Sequence, residues 1–343
     1  MLAGDGVIFF LPIIRIYTLA ILLLTLINRK RIRNRDHFLI IGLTLSLSAL
    51  FIAGVSGANL YYPISYLFVV FSVYLISQIS FLSDARDSIL YLSFTLCILS
   101  ILEFTNVIRW TDYLDFLREE AASTYVFNSI FSRVQFLSAE PTNFAIFLIF
   151  MGQLALLKKN LIAFLFCTTA LVLTFSSAGL IILLAGCLLN VMYFSKIPNR
   201  ILGLVLITIF SLVLYQLMGD VEIVKKIIQI SNSHRMESLI AGVKLLSGEW
   251  FLGLGFGYLA QAKINILQWY VHVIIEAGVV GCLFVVYYLF YSVKYVKKSK
   301  MFLCGAALVI FPLSSPVIFT PGIVLSLALA RAEYYKVTND NKY

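Results

Sequence analysis

Long apolar runs separated by short polar connectors recur along the whole chain. A helix needs about 20 mostly apolar residues to cross the hydrocarbon core of a bilayer, and most of these runs approach that length. The pattern predicts about eleven membrane-spanning helices. They lie near residues 7–27, 38–55, 60–82, 88–107, 141–157, 161–175, 178–195, 201–218, 277–293, 301–316 and 318–331.

One of these apolar runs, from Leu161 to Phe194, is too long for a single span. It is interrupted by Ser176, Ser177 and Gly179, and small polar residues and glycine mark turns between helices. The run is therefore predicted to form two short helices joined by a tight turn.

Two connectors, residues 108–140 and 219–276, are much longer than the others. Loops beyond about 12–15 residues are usually functional or disordered, and these two are too rich in aromatic and aliphatic residues for disorder. Apolar residues recur at helical spacing in 221–230 and again at Met236, Leu239, Ile240 and Val243. Both stretches predict amphipathic helices that lie on the membrane surface or on the helix bundle.

The composition supports a membrane protein, with 61% hydrophobic and 13% charged residues and a mean hydropathy of +0.96. Soluble domains average about 45–50% apolar and about 25% charged residues. We therefore predict an all-α, polytopic integral membrane protein that forms one transmembrane domain over residues 1–343. The five cysteines all lie in apolar runs, without disulfide or metal-site spacing, and are interpreted as small hydrophobic residues.

The formal net charge of +9 indicates topology here, and not nucleic acid as a partner, because basic residues mark the cytoplasmic loops of membrane proteins. Four basic clusters lie between predicted spans, and they place both long connectors on the outer side of the membrane. The clusters are Arg29, Lys30, Arg31, Arg33 and Arg35; Lys158 and Lys159; Lys196 and Arg200; and Lys294, Lys297, Lys298 and Lys300.

The first long connector ends in SAEPTNFA, which places Glu140 just before Pro141 at a predicted helix start. Proline suits the first helical turn and an acidic side chain is favoured beside the positive end of the helix dipole, so Glu140 is either a capping residue or a functional one. Arg133 lies seven residues earlier and would share a face with Glu140 if the stretch between them were helical.

The second long connector holds His234 and Arg235 at the start of an amphipathic pattern, and Gly253, Gly255 and Gly257 on alternate residues. The glycines do not follow a strand, so a nucleotide-binding turn is disfavoured. Further on, His272 and Glu276 lie four residues apart on one helical face, as a buried polar pair or a working one. A zinc site of His234, His272 and Glu276 lacks a tight ligand motif.

The succession of SAEPTNFA, TFSSAG, SHRMESLIAGVKLLSGEWFLGLGFGYL and YVHVIIEAGVVG resembles the O-antigen polymerase (Wzy) and O-antigen ligase (WaaL) superfamily over residues 130–295. The resemblance implies a metal-independent glycosyltransferase without a cofactor, acting on undecaprenyl-pyrophosphate-linked oligosaccharides at the periplasmic face of the bacterial inner membrane. A chain-length regulator protein is an implied partner, together with the lipid bilayer itself.

The resemblance also implies residue roles. Arg133 and Arg235 stand where the family places arginines on the donor pyrophosphate, which guanidinium groups bind through paired hydrogen bonds. Glu140 matches the acidic residue before the proline; Glu140 and His234 are the candidate bases, with His272 and Glu276 as support. The His-Asn pair of ligases is replaced by Leu267 and Gln268, and Ser177 stands where many relatives have an arginine.

These departures favour a repeat-unit polymerase of O-antigen or capsule over a ligase that transfers glycan to lipid A core. A flippase or other transporter is the alternative of a different class. Transporters place ionisable residues near the middle of the membrane, whereas only Arg15 and Glu103 fall well inside predicted spans here.

Overall fold

The computed structural model describes residues 36–55, 61–78, 86–108, 126–127, 131–132, 134, 141–194, 236–238, 240–245, 251–262, 264, 266, 268–315 and 320–340. This part of the chain is helical apart from one short antiparallel ladder, in which β1 (Val126–Phe127) pairs with β2 (Phe131–Ser132). The all-α prediction is confirmed at this level. The spans predicted over 7–27 and 201–218, and the amphipathic helix predicted over 221–230, lie outside the described residues.

The helices follow the apolar runs closely, because each run is bounded by turn-forming or charged residues. They are α1 (His37–Val55), α2 (Tyr61–Gln78), α3 (Arg86–Phe104), α4 (Pro141–Leu157), α5 (Leu161–Leu173), α6 (Ser177–Phe194), α7 (Tyr258–Gln261), α8 (Trp269–Ser299), α9 (Phe302–Ile310) and α10 (Pro321–Asp340). Residues 236–238 and 240–245 are also helical, and we refer to them as the surface helix.

Three observed helix boundaries can be compared with the ends of the predicted spans. The long run does divide into α5 and α6 at the predicted turn. The run predicted to be one span over 301–316 forms the shorter α9, followed by a 3-10 helix, Phe311–Leu313, that contains Pro312. The last helix, α10, continues nine residues past the predicted end at 331, to Asp340.

Helix α8 is broken at Gly278, which has φ 56° and ψ −131°. A Cβ atom on Gly281 would lie 2.3 Å from the carbonyl oxygen of Val273, although eight residues of straight helix rise about 12 Å. The chain therefore turns sharply at Gly278, and residues 269–277 fold back on the start of 279–299. The predicted span from 277 corresponds to the second part of α8, and the predicted outer connector ends in the first part.

By length and composition, α8 is the one helix among the described residues that is long and apolar enough to cross a membrane. Seven shorter apolar stretches of 10–17 residues occur in the same part of the chain, six in α1 to α6 and one over α9 and the following 3-10 helix. The number of spans predicted from the sequence, about eleven, stays a prediction.

The helices pack around a continuous apolar core in which α10 contacts α2, α4, α8 and α9. Close approach depends on small residues at the crossings. A Cβ on Gly322 would lie 2.7 Å from the backbone nitrogen of Phe147, and one on Gly186 would lie 2.6 Å from the Leu303 side chain. Larger side chains at these two points would force α10 away from α4 and α6 away from α9.

The bundle has two chemically different ends. One end carries the lysines of the α4–α5 connection and of the α8 C-terminus, and we call it the basic end; its lysines are Lys158, Lys159, Lys294, Lys297, Lys298 and Lys300. At the opposite end, the backbone N–H of Val134 donates to the Leu173 carbonyl at 3.3 Å, and that of Trp269 donates to the Ser315 carbonyl at 3.2 Å. We call this the motif end, because the helix start at Pro141, the turn after α5 and the glycine-rich loop all lie there.

Candidate functional site at the motif end

Four of the six site residues predicted from the sequence, Arg133, Glu140, His234 and Arg235, lie outside the described residues. The other two, His272 and Glu276, lie on the first part of α8. The structure therefore describes the scaffold around the predicted site and one polar pair within it.

The start of α4 contacts the turn between α5 and α6. The Ser176 hydroxyl donates to the Thr142 hydroxyl at 3.3 Å, and a Cβ on Gly179 would lie 2.7 Å from the Ala145 Cβ. These residues belong to SAEPTNFA and TFSSAG, which are more than thirty positions apart in the sequence. The first two motifs of the resemblance are thus neighbours in space, a contact that their sequence spacing did not predict.

The turn itself is held by its hydroxyl side chains. Ser176 accepts a hydrogen bond from the Gly179 backbone N–H at 3.2 Å, which caps the start of α6. Thr174 accepts one from the Ser176 N–H, also at 3.2 Å. Phe175 adopts a left-handed φ of 48° and its ring stacks on Phe104 at 5.9 Å. Local hydrogen bonds and one ring contact therefore fix the conformation of this turn.

The glycine-rich loop, residues 251–257, is bound to the break in α8 by its backbone. Leu254 N–H donates to the Ile275 carbonyl at 2.8 Å, Gly255 N–H donates to the Glu276 carbonyl at 3.1 Å, and Val279 N–H donates to the Phe251 carbonyl at 3.0 Å. A break in a helix leaves nearby backbone N–H and C=O groups without intrahelical partners, and burying unpaired polar groups costs free energy. The loop supplies hydrogen-bond partners for the carbonyls of Ile275 and Glu276 and for the N–H of Val279.

The alternate glycines of this loop follow from that contact. Gly253, Gly255 and Gly257 have φ values of 75°, 94° and 84°, which other residues rarely adopt. A Cβ on Gly253 would also lie 2.6 Å from the backbone nitrogen of Gly278. Backbone conformation and close packing therefore explain the alternate glycines.

The Glu276 carboxylate fixes the end of the same loop. Only 1% of the residue is exposed, and its Oε1 accepts hydrogen bonds from the backbone N–H groups of Gly257 at 3.0 Å and Leu259 at 3.4 Å. Its Oε2 lies 3.4 Å from Nε2 of His272. The predicted shared helical face is confirmed, and hydrogen bonds of this kind make it possible to bury a carboxylate.

The surface helix packs on the first part of α8 through its small and polar residues. The Ser238 hydroxyl donates to Oε1 of Gln268 at 3.3 Å, and a Cβ on Gly242 would lie 2.7 Å from Val271. Its predicted apolar stripe points the other way, because Met236, Ile240 and Val243 are exposed. The sequence left open whether this helix lies on the membrane surface or on the bundle. The helix does contact the bundle, through Ser238 and Gly242, but these three apolar residues do not face it.

No group of three or more His, Cys, Asp or Glu side chains is positioned to hold a metal ion among the described residues. The zinc hypothesis also includes His234, which lies outside them. The sequence reasoning missed a different charged pair, Asp36 and Arg331 at the basic end. The available signal was a single arginine in the otherwise apolar run of α10, which predicts a buried partner.

Comparisons of the chain with protein-family models, with curated proteins and with solved structures give no match.

Proposed function

We propose that this protein is a polytopic membrane glycosyltransferase that polymerises lipid-linked oligosaccharide repeat units at the outer face of the bacterial inner membrane. The proposal starts from the resemblance of its four motifs to the O-antigen polymerase and ligase superfamily. The main structural support for the proposal is that these motifs contact one another in pairs. SAEPTNFA contacts TFSSAG, the glycine-rich loop contacts the α8 segment of YVHVIIEAGVVG, and both pairs lie at the end opposite the lysines.

The exposed surface supports the membrane part of the proposal. Large apolar side chains are exposed along several helices, including Phe51 on α1, Tyr91 on α3, Ile181 on α6 and Phe290 on α8. Soluble monomers rarely expose contiguous apolar patches larger than a few hundred Å². A lipid environment would make this surface favourable, and the lysine-rich end would then be cytoplasmic.

The hydroxyl groups within the helices support the same environment. Thr44, Ser46 and Thr168 donate to the backbone carbonyl four residues earlier, at 2.9, 2.7 and 2.9 Å. This arrangement satisfies a hydroxyl group without water and suits a helix in lipid.

The positions of the buried charges among the described residues argue against a transporter. Asp36 and Arg331 pair at the basic end, and Glu276 lies at the motif end. Glu103, which the sequence placed well inside a span, lies one residue before the end of α3 at the motif end, and Arg15 lies outside the described residues. Transporter sites lie near the membrane midplane, where their ions and substrates are held during alternating access. These charges lie in the end layers of the bundle.

The proposed reaction is the transfer of a glycan from its undecaprenyl pyrophosphate carrier to a hydroxyl group of a new lipid-linked repeat unit. A bond forms between the acceptor oxygen and the anomeric carbon, and the bond from that carbon to the diphosphate oxygen breaks. Arg133 and Arg235 would hold the departing diphosphate, and Glu140 or His234 would take the hydroxyl proton. Positioning and electrostatic stabilisation would supply most of the rate enhancement.

In this scheme His272 and Glu276 do not contact the substrate, and they support the site by holding the glycine-rich loop in place. Glu276 holds the glycine-rich loop to the break in α8, and His272 contacts its second oxygen. No metal ion takes part in the proposed chemistry.

Deletion of the gene tests the reaction class. Loss of a repeat-unit polymerase leaves surface glycan with one repeat unit, because flipping and ligation continue. Loss of a ligase or of a flippase instead leaves lipid A core with no repeats. A core without any repeat unit after deletion would contradict the polymerase proposal, and complementation with the intact gene would control for effects on neighbouring genes.

The arginine roles have a separate test. Arg133→Lys and Arg235→Lys should reduce polymerisation nearly as much as alanine, because lysine keeps the charge and loses the planar fork that binds two phosphate oxygens. Arg31→Lys, in a cluster interpreted as a topology signal, is the matched control and should leave the glycan ladder unchanged. A normal ladder from both test variants, at normal protein levels, would remove the pyrophosphate role.

A further inference from the structure

On a soluble protein, an amphipathic helix directs its apolar face toward the core. The surface helix directs its apolar face away from the protein. Its apolar stripe points outward, with 58% of Met236, 49% of Ile240 and 58% of Val243 exposed. These residues are four and three positions apart, so they form one stripe along the helix. An outward apolar stripe needs an apolar environment.

Contacts on the opposite face fix this orientation. The Ser238 hydroxyl donates to Gln268, and a Cβ on Gly242 would lie 2.7 Å from Val271 and 3.1 Å from Ile266, so a larger side chain would crowd both. Rotation that buried the apolar stripe would break the hydrogen bond and place a bulky residue where only glycine fits. The outward stripe is therefore a property of the packed molecule.

The neighbouring turn extends the exposed apolar surface. Phe251 and Leu252 are 63% and 62% exposed, and the Phe251 carbonyl accepts from the N–H of Val279, the first residue after the break in α8. Val279 lies on the same helical face as the exposed Leu283 and Val286 further along α8. The turn thus lies level with the start of the exposed face of 279–299.

Charged residues lie along one side of the stripe. Glu237 and Lys244 are exposed, and on an ideal helix both project about a quarter of a turn away from the centre of the apolar stripe. A helix at a membrane interface has this arrangement, with an apolar side toward acyl chains and charged side chains toward head groups and water.

We propose that the surface helix, together with Phe251 and Leu252, inserts its apolar side into the outer leaflet and contacts phospholipid acyl chains. The inference rests on the proposed membrane location and adds an anchor for the second outer connector. The contact is continuous with the exposed face of α8, and the flanking charges match an interface. An anchored connector would lie at the same membrane depth as the head group of a lipid-linked substrate.

Site-specific photocrosslinking in native membranes tests this contact. The photoreactive residue p-benzoylphenylalanine is placed at Met236, Ile240 or Val243 in turn, and adducts are identified by mass spectrometry. We expect phospholipid adducts at all three positions, at least about fivefold more abundant than at Glu237, the matched control on the charged side of the same helix.

Crosslinking at Val286, on the exposed face of α8, distinguishes failure of the proposed anchor from failure of the proposed membrane location. Phospholipid adducts at Val286 but none above the Glu237 level at Ile240 and Val243 would overturn the anchor and leave the membrane location intact. Absence of adducts at Val286 as well would overturn the membrane location. Undecaprenyl adducts at Ile240 would show a substrate groove, and crosslinks to protein would show a protein-covered face; either result overturns the phospholipid contact.

Discussion

Arg331 on α10 forms a buried ion pair with Asp36, which lies 295 positions earlier in the chain and immediately before α1. The arginine is completely buried, also donates to the Ser77 hydroxyl, and donates to the Tyr74 carbonyl at 3.4 Å. Its guanidinium carbon lies 5.0–5.3 Å from the ring centroids of three aromatic residues, Phe38, Tyr74 and Tyr335. The pair therefore joins α1, α2 and α10 at the basic end of the bundle.

Replacing Arg331 by methionine should destabilise the protein by about 3–5 kcal/mol, because the buried Asp36 carboxylate would lose its partner. Thermal unfolding of the purified protein in detergent measures the effect. Lys336→Met, an exposed cation on the same helix, is the control and should change the unfolding temperature little.

A second variant isolates the charge. Asp36→Asn keeps a side-chain oxygen able to accept the Phe38 N–H, which now bonds to Asp36 at 3.1 Å. Combined with Arg331→Met, it should recover much of the lost stability, since neither buried charge remains. A double variant less stable than Arg331→Met alone would contradict this account.

Replacing Glu276 by alanine should loosen the glycine-rich loop, because the Gly257 and Leu259 N–H groups would lose their acceptor. A buried donor left without a partner costs about 1–3 kcal/mol. Hydrogen exchange followed by mass spectrometry should show these amides exchanging about tenfold faster or more. Glu276→Gln retains an oxygen for both donors and should preserve most of the protection.

Glu237→Ala, which removes an exposed carboxylate from the nearby surface helix, is the control for that measurement. Equal protection in the wild type and in Glu276→Ala would mean that the carboxylate does not hold the loop.

Replacing Gly278 by alanine should destabilise the protein by at least about 2 kcal/mol, because the residue has a left-handed φ. Its Cβ would also lie 2.3 Å from the Phe251 carbonyl oxygen. Gly152→Ala on α4 is the matched control, since a Cβ there would meet its nearest neighbour, Phe164, at 3.5 Å. It should stay within about 1 kcal/mol of the wild type or gain stability through helix propensity. Equal unfolding temperatures for the two variants would remove the special role of Gly278.

Substitutions of Glu140 distinguish between two roles of its carboxylate, a helix cap and a catalytic base. As a cap for the helix that begins at Pro141, it could be replaced by glutamine or aspartate at a cost of at most about 1 kcal/mol, with polymerisation intact. As a base or an orienting group, it would lose basicity in Glu140→Gln and reach in Glu140→Asp. We expect both variants to shorten the glycan chains at normal membrane protein levels.

The measurement is the glycan ladder from complemented cells, normalised to the amount of protein in the membrane. Pro141→Ala controls for helix initiation, because it alters the helix start without changing the carboxylate. An unchanged ladder in Glu140→Gln would reduce Glu140 to a capping residue and direct the search for the base to His234.

The sequence predicted elements well where the deciding signal was local. The division between α5 and α6 follows from Ser176 and Gly179 beside long apolar runs, and Ser176 does cap α6. The shared face of His272 and Glu276 follows from helical spacing. The short α9 was not predicted, because Pro312 alone does not reveal that the chain continues as a 3-10 helix.

The sequence by itself determined the helical class, most of the helix bounds and the polar groups available, because apolar periodicity and turn residues act on neighbours a few positions away. Only the tertiary structure decided which groups meet. It paired Arg331 with Asp36, placed the glycine-rich loop in the break at Gly278, and turned the apolar stripe of the surface helix outward. Such choices depend on shape and burial between segments far apart in the chain, and spacing along the sequence does not encode them.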